Sequence, residues 1–184
     1  METQRTILRP FTMDDAEDVY AYCKDPRVGP IAGWKPHGSI EESREIIRTV
    51  FSEPDVFAVV DKEGGHVIGS AGFVAPHRKG GAAHEGKSSE IGYALSPEFW
   101  GRGLMPEVVG ELLRYGFEDL LLDEIWATHY KENARSRRVI EKSGFVYAFT
   151  ENLTDEFYPD RPTCFYFLTK DAWEIRRRGT WTAT

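Results

Sequence analysis

Apolar positions along the chain recur in two rhythms, every second residue and every third or fourth, and the changes between them mark out the elements. Ile7-Leu8-Arg9-Pro10-Phe11 reads as a short strand. Thr12 follows as a helix N-cap, with Asp14 and Asp15 in the first turn, where carboxylates suit the positive end of the helix dipole. That helix runs to about Cys23 and stops at Asp25-Pro26. Ser39-Ile40-Glu41-Glu42 is a capping-box pattern that opens a second helix, with Ser43, Ile47, Val50 and Phe51 on one side. Between these helices lies a Gly- and Pro-rich loop, 27–38, which carries Trp34 and His37. Strands over 57–60 and 67–73 flank Asp61-Lys62-Glu63-Gly64-Gly65 as a hairpin. The Gly-, Ala- and His-rich stretch 76–87 reads as a mobile connection to a strand over 89–95. In that strand Ile91, Tyr93 and Leu95 alternate with Glu90, Gly92 and Ala94.

A third helix begins just past Gly103, with Pro106 in its first turn, where a missing N–H costs nothing. Met105, Val109, Leu112, Leu113, Gly116 and Leu120 trace an apolar stripe that packs it on a sheet. Residues 124–130 form a strand, and Asn133 caps a short fourth helix that ends at Ser143-Gly144. Strands near 145–150 and 164–169 close as a hairpin over a long Asp/Pro-rich loop. The order β-α-α-β-β-β-α-β-α-β-β is not a regular βαβ alternation. It predicts an α/β fold with a central mixed sheet of about six or seven strands and helices on both faces. No repeat, linker or low-complexity tract divides residues 1–184, which read as a single domain.

Composition narrows the function. With 41% hydrophobic and 13% aromatic residues, the chain can bury a core without disulfides or a structural metal. A net charge of −7 disfavours nucleic acid as a partner, since phosphate binding needs an excess of Lys and Arg. The same charge favours solubility and suits recruitment of a cationic substrate such as an amine. Cys23 and Cys164 are far apart and imply neither a disulfide framework nor a CxxC metal site. The first residues lack the apolar core of a secretory signal, and no run approaches the ~18 apolar residues of a membrane span. The expectation is a cytoplasmic protein without metal.

The chemistry concentrates in Trp100-Gly101-Arg102-Gly103-Leu104-Met105. A strand feeding a glycine-rich turn into a helix N-terminus gathers free backbone N–H groups in one concavity, which suits a pyrophosphate. Gly101 and Gly103 permit positive φ, and Arg102 adds a cation. Two glycines alone also suit an ordinary structural turn. A P-loop is disfavoured because no Gly-Lys-Ser/Thr follows, and the dinucleotide pattern GxGxxG is broken by Pro106.

The neighbouring motifs choose among the remaining anions. Glu90-Ile91-Gly92-Tyr93-Ala94-Leu95, Pro97, Phe99 to Gly103, Glu107, Asn133-Ala134-Arg135-Ser136 and Glu141-Lys142-Ser143-Gly144-Phe145 resemble the GNAT superfamily of N-acetyltransferases. The likeness is closest to the branch of ribosomal-protein N-terminal acetyltransferases, also through Leu8-Arg9-Pro10 and Val67-Ile68-Gly69, and it spans nearly the whole chain. It implies the GNAT fold, with the strand ending at Leu95 splayed from the one ending near Tyr130, and acetyl-CoA as acyl donor. Ala94, Leu95 and Ser96 would then meet pantetheine, and residues 101–105 the pyrophosphate, with Trp100 beside them. That family favours Gln or Arg where Trp100 stands and Gly or Ala where Met105 stands.

Acetyl transfer needs a neutral amine and a partner for the departing thiolate. An α-amine, with a pKa near 8, deprotonates more cheaply than lysine near 10.4, so a water relay suffices for an N-terminus. The resemblance makes Glu90 the first base candidate and places Ser136 like the serine that serves CoA sulfur in some relatives, with Asn133 as both cap and CoA contact. The tyrosine acid common in the family falls on Ile140; His129 and Tyr130 are substitutes, and both also read as packing residues. Arg135, Arg137 and Arg138 form a solvated face from which one could reach a CoA phosphate. Acceptor contacts are expected from Trp34, His37 and Tyr158, with Asp155, Glu156 and Asp160 nearby. The acceptor is an amine, either a protein N-terminus or a small molecule. Homodimers are common in the family. A catalytically silent acyl-CoA-binding or interaction protein is the alternative reading.

Overall fold

In a computed structural model, residues 1–74, 77, 86–154, 157 and 159–179 are described. The expected strands appear as β1 Thr6–Arg9, β2 Val56–Asp61, β3 Val67–Val74, β4 Ser88–Leu95, β5 Glu124–Tyr130, β6 Val146–Leu153 and β7 Arg161–Thr169. They form one sheet in the order β1-β2-β3-β4-β5-β7-β6. Only β4 and β5 run parallel; every other neighbouring pair is antiparallel. The late hairpin is inserted so that β7, not β6, pairs with β5, leaving β6 at the edge.

The helices are α1 Ala16–Cys23, α2 Gly29–Ala32, α3 Ile40–Thr49, α4 Leu104–Arg114, α5 Ala134–Lys142 and α6 Lys170–Gly179. Local chemistry sets most of their starts. Ser39 Oγ accepts the Glu42 N–H at 3.2 Å, while the Glu42 carboxylate takes the N–H of Gly38, one residue earlier than the capping box predicts. Thr12 is the expected cap, with its N–H bound to Asp15 at 2.7 Å, although a 3-10 turn over Met13–Asp15 precedes α1. Two helices lay outside the periodic reading. In α2, Pro30 occupies the first turn and Gly33 (φ +99°) closes it left-handed, within a loop too short to show a period. α6 is mostly charged and anchors through Trp173, whose ring lies 5.2 Å from Phe117.

Two cores flank the sheet. One lies under α4, where Leu104, Met105, Val108, Val109, Leu112 and Leu113 are buried against β3, β4 and β5. The other lies under α1 and α3, around Val19, Tyr22, Ile47, Ala58 and Ala94. The period of 3.6 in α4 puts Gly110 on the solvent side, and a Cβ there would meet nothing within 4 Å. Gly110→Ala is therefore expected to stabilise the protein by ~0.5–1 kcal/mol, read as a higher midpoint in thermal denaturation.

Candidate active site

β4 and β5 pair only from Ser88–Glu124 to Ile91–Ala127; beyond that the two strands part. Ser96 N–H bonds Ile68 C=O across the β3 side, and antiparallel alternation then turns the backbone groups of Leu95 toward the gap. The Trp100 indole N–H fills one acceptor there, donating to Leu95 C=O at 2.8 Å. A cleft of about 340 Å³ opens along this edge. Its walls are Tyr93, Ala94 and Leu95 of β4, Val28, Ile31 and Ala32 around α2, and the first turns of α4 and α5.

The glycine turn forms one mouth of the cleft. Gly101 (φ +77°) and Gly103 (φ +78°) are both left-handed, and Gly103 is the N-cap of α4. The Met105 side chain is buried, belonging to the core under α4 while also lining the cleft. Arg5, with no sequence signal to mark it, holds the turn from outside. Its guanidinium donates to Arg102 C=O at 2.8 Å and to Glu107 at 2.8 and 2.5 Å. That pairing also holds the Glu107 carboxyl below its ordinary pKa. The Arg102 side chain lies over the Phe99 ring at 4.8 Å and is not among the cleft-lining residues.

Across from the turn, Asn133 Oδ1 accepts the Ser136 N–H at 3.1 Å and caps α5, while its amide donates to Ile31 C=O at 3.2 Å. One side chain thus ties α5 to the α2 wall. Arg135, Arg138 and Lys142 reach the cleft from successive turns of α5, and Arg135 lies 4.3 Å from the Trp100 ring. Ser136 Oγ is 2.8 Å from the Tyr93 hydroxyl inside the cleft. Helix N-termini, left-handed glycines and three cations around an apolar channel fit a long ligand with an anionic end and an apolar stretch.

Comparison with known proteins decides the family. A family model of the GNAT acetyltransferase domain matches residues 5–146. The chain belongs to the GNAT acetyltransferase family. It is 32% identical over 150 residues to the uncharacterized N-acetyltransferase YoaA of Bacillus subtilis (strain 168), covering 79% of this chain and 81% of that protein. A GNAT-family acetyltransferase structure from Bacillus anthracis superposes with a TM-score of 0.77 at 23% identity, covering 93% of this chain and 98% of that one. The ribosomal-protein-S5-alanine acetyltransferase of Vibrio fischeri shares the fold with a TM-score of 0.68 at 20% identity, covering 94% and 97%. This GNAT protein is accordingly an N-acetyltransferase.

The other anticipated residues are distributed unevenly. Glu90 is 2% exposed and sits one pair before the strands part. Its carboxylate accepts the Thr128 hydroxyl at 2.7 Å and the His77 backbone N–H at 2.9 Å, and lies 3.0 Å from His77 Nδ1. It marks the base of the gap and is not among the cleft-lining residues. His37 turns inward: it is buried, with Nδ1 2.9 Å from Ser43 Oγ, and burial pushes its pKa down, so it packs α1 to α3. Sequence alone placed it on an open loop because that loop's fold over α3 is a tertiary event. Trp34 packs beside α2, its backbone N–H bound to Gly29 C=O. Tyr158, Asp155 and Glu156 lie outside the described residues, as does most of 76–87. His129 is buried, its Nδ1 bound to Tyr130 C=O, and Arg161 covers the Tyr130 ring at 3.7 Å. Among the described residues no His, Cys, Asp and Glu cluster could hold a metal, and no helix is long and apolar enough to cross a membrane.

Proposed function

We propose that this enzyme transfers the acetyl group of acetyl-CoA to a primary amine, a protein or peptide N-terminus or a small-molecule amine, by direct attack in a ternary complex. The observation that carries the reading is the cleft itself, which joins the left-handed glycine turn before α4 to a channel running along the open edge of β4. Gly101 to Met105 would hold the pyrophosphate, and Arg135, Arg138 and Lys142 are cations within reach of phosphate. Ala94, Leu95 and Ser96 would run beside pantetheine, with Trp100 and Asn133 at the sides. Acetyl-CoA supplies the activated acyl carbon.

In this reading the amine nitrogen bonds to the acyl carbon as the C–S bond breaks. Glu90 takes the proton lost by the amine, through water. Ser136 donates a hydrogen bond to the departing sulfur, near the positive end of α5. Trp34, beside the α2 wall, is assigned to the acceptor side; Tyr158 keeps its assignment there from the sequence. An α-amine with a pKa of about 8 is the easier acceptor, so turnover on N-terminal peptides should rise with pH and level off near pH 8.

Thiol release from acetyl-CoA across a panel of N-terminal peptides, polyamines and amino acids tests the proposal. Tight donor binding without turnover on any amine would overturn it. Glu90→Gln is expected to lower kcat by about 100-fold, the lower end for loss of a general base. Ser136→Ala should lower kcat by about 10-fold with near-normal affinity for acetyl-CoA, matching one hydrogen bond of ~1.5 kcal/mol to a charged group.

A further inference from the structure

The family's tyrosine position on α5 is Ile140, a residue 1% exposed in the core, so no phenol reaches the sulfur side from that helix position. A phenol arrives from the sheet instead. Tyr93, on β4, sends its hydroxyl to within 2.8 Å of Ser136 Oγ, and both residues line the cleft. We propose that Tyr93 is a positioning residue for Ser136, donating to Oγ so that the serine's own hydrogen points into the cleft toward the departing sulfur. The inference rests on the reading that Ser136 serves that sulfur.

Hydrogen counting supports the direction of the bond. Ser136 carries one hydroxyl hydrogen and two lone pairs. If that hydrogen went to the phenol oxygen, none would remain for sulfur, and the phenol would need another acceptor. The other acceptor at hand is Ser136 C=O within α5, which is 3.3 Å away and so the longer contact. The shorter contact, to Oγ, is the better bond. The backbone of Ser136 is held independently, because its N–H is bound to Asn133 Oδ1. Only the hydroxyl rotor is left to be set, and Tyr93 sets it.

Tyr93 does not change charge in this arrangement. Burial pushes its phenol well above the ordinary tyrosine pKa, so it remains a donor throughout the working pH range. The proton lost by the amine still leaves through Glu90, and no proton is taken from Tyr93. The role is directional, which separates it from that of an acid.

The test is a double-mutant cycle of Tyr93→Phe and Ser136→Ala, measured with acetyl-CoA and the best amine of the panel. Tyr93→Phe is expected to lower kcat about 5- to 10-fold while KM for acetyl-CoA stays within about 2-fold. The double variant should be no slower than Ser136→Ala alone, because both substitutions remove the same directed hydrogen bond. Unchanged kcat in Tyr93→Phe, multiplied losses in the double variant, or a rise in KM with kcat kept would each overturn the proposal. The Ser136→Ala background also serves as the folding control, since any structural damage from phenylalanine would appear there as a further loss. If Ser136→Ala itself turned over normally, the assignment of Ser136 would fail first, while donor binding and Glu90 would stand unaffected.

Discussion

Gly101→Val is expected to raise the dissociation constant for acetyl-CoA by about 30-fold or more, from ~2 kcal/mol or more of backbone penalty. The argument is conformational. Gly101 has φ +77°, and a Cβ there would meet no atom within 4 Å, so the obstacle to a side chain is the backbone conformation. Valine cannot hold the left-handed conformation cheaply, because a β-branched side chain crowds its own backbone there. If the turn relaxes to negative φ, the N–H groups before α4 no longer converge on one point. Calorimetric titration with acetyl-CoA checks the affinity, and Gly65→Val is the control. Gly65 also has a positive φ (+71°) and open space around it, but sits in the β2–β3 hairpin. It should cost comparable stability and leave affinity alone. Wild-type affinity in a folded Gly101→Val protein would remove the turn from donor binding.

Gly69→Val is the second large effect, and it acts through the sheet. A Cβ on Gly69 would lie 2.2 Å from Ala94 O and 3.1 Å from Leu95 Cα, so the obstacle is backbone of the adjacent strand. Backbone cannot rotate aside, and β3 must separate from β4. The expected loss is ~3 kcal/mol or more, which lowers the thermal midpoint by about 6–12 °C in a protein of this size. The position magnifies the damage. Past Ile91, β4 has lost its pairing with β5, so β3 is the strand partner that still holds 92–95 in place. Weaker acetyl-CoA binding should accompany the lower midpoint. A midpoint within 2 °C of wild type would show that the two strands can part without cost.

The local elements were largely legible because each rests on contacts only a few residues apart. Asn133 caps α5, Gly103 precedes α4, and the alternation at 89–95 is a strand, all as residue type and spacing imply. The features that sequence did not reveal share a cause. His37 stands on the Gly- and Pro-rich loop, where sequence shows nothing of its burial against Ser43 of α3. α2 escaped notice as a four-residue turn of helix, although it walls the cleft. Arg5 braces the glycine turn from about a hundred residues away, a distance at which spacing carries no information. Tyr93 looked like one apolar position among three; its hydroxyl acquires a role only once α5 brings Ser136 to it.

Sequence by itself determined the strands, helices α1, α3, α4 and α5, the glycine turn and, through its motifs, the family and its acetyl chemistry, because propensity, capping and motif spacing are properties of short segments. Tertiary structure decided the sheet order, the point at which β4 leaves β5, and the meeting of β4, α2, α4 and α5 around one cleft. Those outcomes depend on how long-range apolar faces bury one another, and burial of that kind leaves no period along the chain.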